Sequence, residues 1–149
     1  ENLRKRRREI IFAWAQREYK NLLRAEKYGV TVPKPLGWKF HIIVEEMIGK
    51  PALALKDHHP KNPKKFFELV LKEMKTLYKA GLIHGDLSSF NILNYDEKPV
   101  LIDFSQATLV RTPNSEELLE RDVRNLVKFF KKLGLNVDKE KVLKDITNG

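Results

Sequence analysis

The chain has 149 residues, 42% hydrophobic and 33% charged, which is enough apolar material for one domain's core and too much for a disordered tail. Lysine and arginine total 29 against 20 for aspartate and glutamate, and the formal charge of +9 points to an anionic partner: nucleotide phosphate, RNA or an acidic protein. The lack of cysteine excludes a disulfide scaffold, a thiolate zinc site and cysteine catalysis. No apolar run approaches the ~18 residues of a membrane span, and no signal peptide precedes the first helix, so the expectation is a soluble cytoplasmic protein without a membrane partner.

From Leu3 to Tyr28 there is neither proline nor glycine, and Ile11, Trp14, Ala15, Tyr19, Leu22 and Leu23 recur at helical spacing. A helix is expected there, with Trp14 and Tyr19 in the core and Gly29 as its left-handed stop. Val32-Pro33-Lys34-Pro35 must be extended, because each proline pushes its predecessor out of the helical region. A strand follows from about Phe40 to Met47, ended by Gly49-Lys50-Pro51. Its exposed edge is a route to self-association.

Asn62-Pro63 announces a second helix that runs to Ala80, with Phe66, Phe67, Val70, Leu71, Met74, Leu77 and Tyr78 as its buried stripe. The apolar runs Ile92 to Tyr95 and Val100 to Asp103, separated by Asp96-Glu97-Lys98-Pro99, read as a β-hairpin. Asn114 with Glu117 three residues on predicts a capping box for a third helix ending at Leu133, and a short helix from Asp138 to Ile146 closes the chain.

Polar residues concentrate between Gly81 and Asp103. His84 and Asp86 leave a helix end in a loop, Asn91 enters the hairpin and Asp103 leaves it, so the hairpin brings Asn91 and Asp103 together. Two aspartates and an asparagine supply hard oxygen ligands for Mg²⁺, with one carboxylate to spare as a base. Phosphoryl transfer uses that arrangement. Alone, each residue has an ordinary role: Asp86 capping a turn, Asn91 satisfying loop backbone, Asp103 ending a strand. Taken in this order they favour chemistry.

With these motifs, and with Trp14-Ala15-Gln16-Arg17-Glu18-Tyr19, Val44-Glu45-Glu46-Met47-Ile48-Gly49, Asp103-Phe104-Ser105-Gln106-Ala107 and Glu120-Arg121-Asp122-Val123-Arg124-Asn125, the chain resembles the RIO atypical serine/threonine protein kinases, specifically their archaeal-like type-1 subfamily. The resemblance implies a kinase-like α/β (α+β) fold: residues 1–48 as a truncated N-lobe, and 49–149 as a helical C-lobe with catalytic loop and hairpin. It makes Asp86 and Asp103 catalytic, with Asp86 as the base, and gives the metal, Mg²⁺ or Mn²⁺, to Asn91 and Asp103. Glu18 matches the helix carboxylate that pairs with an ATP-orienting lysine, and the backbone of Glu46 and Ile48 would hydrogen-bond adenine. The implied function is ATP-dependent phosphorylation of Ser or Thr, on a protein substrate or on the kinase itself, or ATP hydrolysis, in maturation of the small ribosomal subunit.

Other positions carry alternatives. Asp122 is either a helix-surface charge or, by the resemblance, a buried brace of the loop. His84 is read as a structural, packed histidine, and His58-His59 as an exposed pair rather than a metal site. Arg4-Lys5-Arg6-Arg7-Arg8 is a solvated helix face or an rRNA contact.

The seven glycines contain no Gly-x-Gly pair, and neither a phosphate-covering loop nor a strand lysine stands ahead of Glu18. The expectation is therefore the later part of a longer kinase, with little activity by itself. Rival functions are a small-molecule kinase of the aminoglycoside or choline type, and a non-catalytic basic factor that binds rRNA.

Overall fold

A computed structural model describes residues 2–149. The proline- and glycine-free start forms α1 (Asn2–Lys27), stopped by Gly29 at φ 92°. Its second half is bound into the helical body, whereas in its first half Phe12 packs on Phe40, at a centroid separation of 5.4 Å. Leu22 and Ala25 are buried, Arg24 Nε donates to the Ala80 carbonyl at 2.6 Å, and Asn21 Nδ2 donates to the Ala107 carbonyl at 3.2 Å.

Trp14 departs from expectation: it is 61% exposed, and Ile11 and Leu23 are exposed as well, while Tyr19 is half-buried. Helical spacing places these residues along α1 but says nothing about whether another element covers that side. In this structure the covering element is small. The single strand expected at 40–47 is instead a hairpin, β1 (Pro35–Lys39) and β2 (Ile42–Glu45), with Phe40-His41 at its turn and Phe40 at φ 58°. Pro35 is compatible with β1 because it opens the strand, where no ladder N–H is missed. Leu36, Trp38, Phe40, Ile42 and Val44 all remain exposed on this ribbon.

The rest is a helical body. Short β3 (Leu53–Ala54) leads to α2 (Pro63–Lys79), where the Asn62 side chain accepts from Lys65 N–H and Pro63 occupies the first turn. The apolar stripe lands as expected, with Phe66, Phe67, Val70, Met74 and Leu77 buried and Leu71 and Tyr78 partly so. Then come β4 (Leu82–Ile83), β5 (Ile92–Tyr95), β6 (Lys98–Leu101) and β7 (Thr108–Leu109), followed by α3 (Ser115–Lys132) and α4 (Lys139–Asn148). The antiparallel order β3-β5-β6 puts β5 at the centre, and β4 pairs with β7. Phe130 of α3 stacks on Phe66 and tilts against Phe67 of α2, at centroid separations of 6.3 and 4.9 Å.

Two local expectations are corrected. The β5–β6 turn is Asp96-Glu97 alone, both at positive φ, so Lys98 and Pro99 belong to β6 and Asp103 lies beyond it. Buried Asn94 holds this turn by accepting Glu97 N–H at 2.9 Å, and Pro99 is tolerated because β6 is an edge strand. Asn114 makes no side-chain cap on α3 and sits in the left-handed region. The helix is entered instead through a turn in which the Ser115 hydroxyl donates to the Val110 carbonyl at 2.5 Å.

This packing separates core from surface sharply. Phe130→Ala is expected to lower the unfolding free energy by ~3–5 kcal/mol, whereas Trp14→Ala should change it by no more than ~0.5 kcal/mol. Urea unfolding midpoints of the two variants check both values.

Candidate active site

The loop between β4 and β5 is neither helix nor strand, so its backbone polar groups need side-chain partners. α3 supplies them. Asp122, 1% exposed, accepts Gly85 N–H through one carboxylate oxygen and Leu87 N–H through the other, each at 2.9 Å. Arg121 donates to the Gly85 carbonyl, and Asn125 Nδ2 reaches the Leu87 carbonyl at 3.4 Å. Of the two readings of Asp122, the structure selects the buried brace.

His84 is packed, as expected, against Phe104. Its Nε2 lies 2.8 Å from the Ile102 carbonyl and its Nδ1 accepts Asp86 N–H at 3.2 Å, which defines a neutral ring protonated on Nε2. Burial pushes its pKa down, in keeping with that neutral form. Gly85, at φ 85°, lies so close to Gln106 that an added Cβ would come within 2.5 Å of that residue's carbonyl oxygen. Only glycine fits there.

Loop and hairpin bring the expected residues together. Asn91 Nδ2 donates to the Asp86 carbonyl at 2.9 Å and to its carboxylate at 3.3 Å. The Ile102 N–H donates to the Asn91 carbonyl at 3.1 Å, which ties Asn91 to the segment just before Asp103. Asp103 is a non-glycine residue at φ 59°, its Oδ1 accepting the Ser105 hydroxyl at 2.6 Å. Such backbone outliers cluster at functional sites.

Glu18 on α1 and Glu45 at the end of β2 face Asp103. Burial, then the charge of Asp103, raises the pKa of each carboxyl, and Glu45 adds to the effect on Glu18. None of the ion pairs of the described residues involves any of the three. The Glu46 N–H is taken by the Lys34 carbonyl and the Ile48 carbonyl by Ala52 N–H, and among the described residues the Glu46 carbonyl and Ile48 N–H have no backbone partner. That leaves one acceptor and one donor two residues apart, the pair an adenine edge needs.

The donors suit a hard divalent cation. With its amide nitrogen turned to Asp86, Asn91 keeps Oδ1 for a cation, and Asp103 keeps Oδ2. Among the described residues no three His, Cys, Asp or Glu are grouped to chelate a metal by themselves, and His58-His59 form no such site. A cation here would arrive with phosphate and water ligands, as Mg²⁺ does.

Sequence reasoning placed Glu45, Arg121 and Asn125 in the motifs that carry the resemblance but gave none of them a role. Glu45-Glu46 at a strand end was a usable signal, since alternation turns one of the two toward the site. Arg121, Asp122 and Asn125 lie within one turn of α3.

This architecture, a helical body with a braced loop and an adjoining hairpin, is protein-kinase-like. Crystal structures of the Rio2 kinase from Chaetomium thermophilum superpose with a TM-score of 0.77 at 24% identity, covering 93% of this chain and 46% of that one, and, in its ADP/Mg²⁺-phosphoaspartate complex, 0.72 at 26%, covering 93% and 45%. In sequence, residues 1–142 match the RIO domain. The RIO-type serine/threonine-protein kinase Rio1 of Haloferax volcanii is 37% identical over 99% of this chain and 52% of its own length. That of Methanocaldococcus jannaschii is 38% identical over 95% and 50%. The chain therefore belongs to the RIO family, and it spans about half the length of these two relatives.

Burial lifts the Asp122 carboxyl from 3.8 to about 6; its two N–H donors and Arg121 pull it down, and Asp86 adds a smaller push upward. The folded-state value is the higher one, so Asp122's contribution to stability is complete below the ordinary 3.8 and is lost as pH rises through about 6. The loss amounts to ~3 kcal/mol. In Asp122→Asn the unfolding free energy should fall less steeply over that window than in the wild type, and parallel profiles would contradict the assignment.

Proposed function

We propose that this chain carries the base-and-metal half of an ATP- and Mg²⁺-dependent serine/threonine protein kinase or ATPase, residues 1–48 belonging to its N-lobe and 49–149 forming its C-lobe. The observation that carries the reading is the Asp86–Asn91 contact, held by Asp122 and set beside Asp103. Support also comes from the names of the Rio1 relatives and from the ADP/Mg²⁺ complex of the Rio2 neighbour. A small-molecule kinase is less well supported, because the matched relatives are named protein kinases.

Bound Mg²⁺ supplies charge neutralisation at the phosphates. Asp86 takes the proton of the acceptor hydroxyl, and Asn91 Nδ2 keeps that carboxylate in place. The Glu46 carbonyl and Ile48 N–H receive adenine. Glu18, Glu45 and Asp103 together present negative charge to the incoming phosphates, so a lysine and a phosphate-covering loop are expected from outside these 149 residues. The net charge of +9 and the basic run Arg4 to Arg8 suit an rRNA contact during small-subunit maturation. The exposed apolar hairpin supports self-association, which sedimentation at rising concentration reads directly.

Calorimetric titration of the chain with Mg²⁺-ATP should show binding that Asp103→Asn abolishes. Asp86→Asn should retain binding, and in the complete enzyme lower transfer by ~10²–10⁴-fold. Nucleotide binding unchanged in Asp103→Asn would overturn the reading. Salt-sensitive RNA binding with no nucleotide binding at all would favour the non-catalytic alternative.

A further inference from the structure

From Ile48 onward the described residues leave three large hydrophobic side chains exposed, Leu53, Phe90 and Tyr95, and all three lie on one unit made of β3, the braced loop and β5. Phe90 is the most exposed of them, at 64%, and it immediately precedes Asn91, whose amide holds Asp86. Of the other loop residues, His84, Gly85 and Leu87 are buried, Ser88, Ser89 and Asn91 are partly so, and only Asp86 is exposed as well. An aromatic ring left in water one residue from the base-holding asparagine is uncovered apolar surface beside the site where an acceptor must sit.

A cation is fixed against it. Buried Leu55 donates its N–H to the Ile92 carbonyl at 2.8 Å, and Lys56 donates its N–H to the Ser89 carbonyl at 3.0 Å, which binds the turn after β3 along the outside of the loop. The Lys56 ammonium then lies 5.0 Å from the centroid of the Phe90 ring. Its carboxylate partner is Asp57 at 3.0 Å, and both side chains are exposed. An exposed pair of sequence neighbours holds weakly and yields to a better-placed carboxylate.

We propose that Phe90 and Lys56 form the acceptor-docking lip of this site, and that it selects a polypeptide hydroxyl flanked by an apolar residue, which packs on Phe90, and an acidic residue, which pairs with Lys56. The lip is open, which suits an extended segment carrying its own side chains; small acceptors are enclosed in concave pockets. The net charge of +9 favours an acidic partner over a basic one. This inference rests on the phosphoryl-transfer reading for the identity of the group delivered to Asp86.

The test is fluorescence anisotropy of the chain with three labelled serine peptides that share a leucine neighbour and differ in a glutamate, alanine or lysine flank. The glutamate peptide should bind at least ~5-fold more tightly than the lysine peptide, roughly 1 kcal/mol in an exposed charge pair. Lys56→Glu should invert that order, and Phe90→Ala should weaken all three peptides. An inverted order cannot come from misfolding. Equal affinity for the glutamate and lysine peptides, a preference unchanged in Lys56→Glu, or no binding of the glutamate peptide would each overturn the proposal. The Mg²⁺-ATP titration with Asp103→Asn reports separately on the phosphoryl-transfer reading, so the two can fail independently.

Discussion

Two backbone N–H groups of an irregular loop, at Gly85 and Leu87, end on one buried carboxylate, and the site depends on that arrangement. The loop cannot use helix or sheet ladders to satisfy its polar groups, so a neighbouring helix must do it. α3 does so from one turn: Asp122 takes the N–H groups, while Arg121 and Asn125 hold the carbonyls of the same two residues. Gly85 and Leu87 are each held through both backbone N–H and carbonyl, and the exposed Asp86 is presented between them. A buried acid is costly, and burial raises the Asp122 pKa by more than its two hydrogen bonds lower it.

The opposite side of the site is electrostatically unfinished. Glu18, Glu45 and Asp103 come from α1, β2 and the segment after β6; after burial, the Asp103 charge raises the cost of ionising both glutamates, and Glu45 adds to that cost at Glu18. No folding advantage follows from placing three carboxylates together. Such a cluster makes sense where cations, a divalent metal or a lysine, complete the site. The same region carries the exposed apolar surface of the β1–β2 ribbon and of the first half of α1, so its charge and its packing are both left open in the same half of the molecule.

The sequence was most legible where local rules and tertiary packing agree. α2 shows this, with Asn62-Pro63 at its start, a continuous apolar stripe and Gly81 beyond its end, and each feature is found in place. The order Asp86, Asn91, Asp103 was legible as well, because a hairpin of any turn length returns Asn91 to the neighbourhood of Asp103. What failed needed tertiary information. The Asp96-Glu97 turn lacks the usual asparagine-glycine signal because buried Asn94 holds it from within the strand. The capping box at Asn114 was displaced by a hydroxyl contact to Val110, which spacing alone does not reveal. Trp14 and Glu45 depended on which element covers which side, and a periodic pattern does not name the covering partner.

The central claim is that the braced loop and the hairpin converge on one cation position. Paramagnetic broadening of the backbone amide signals of this chain during Mn²⁺ titration in the presence of ADP tests it directly. Residues 85–91 and 102–106 should broaden together at the lowest Mn²⁺ additions, while those of α4 stay sharp. Broadening that begins at His58-His59, or that affects one of the two segments without the other, would contradict the account.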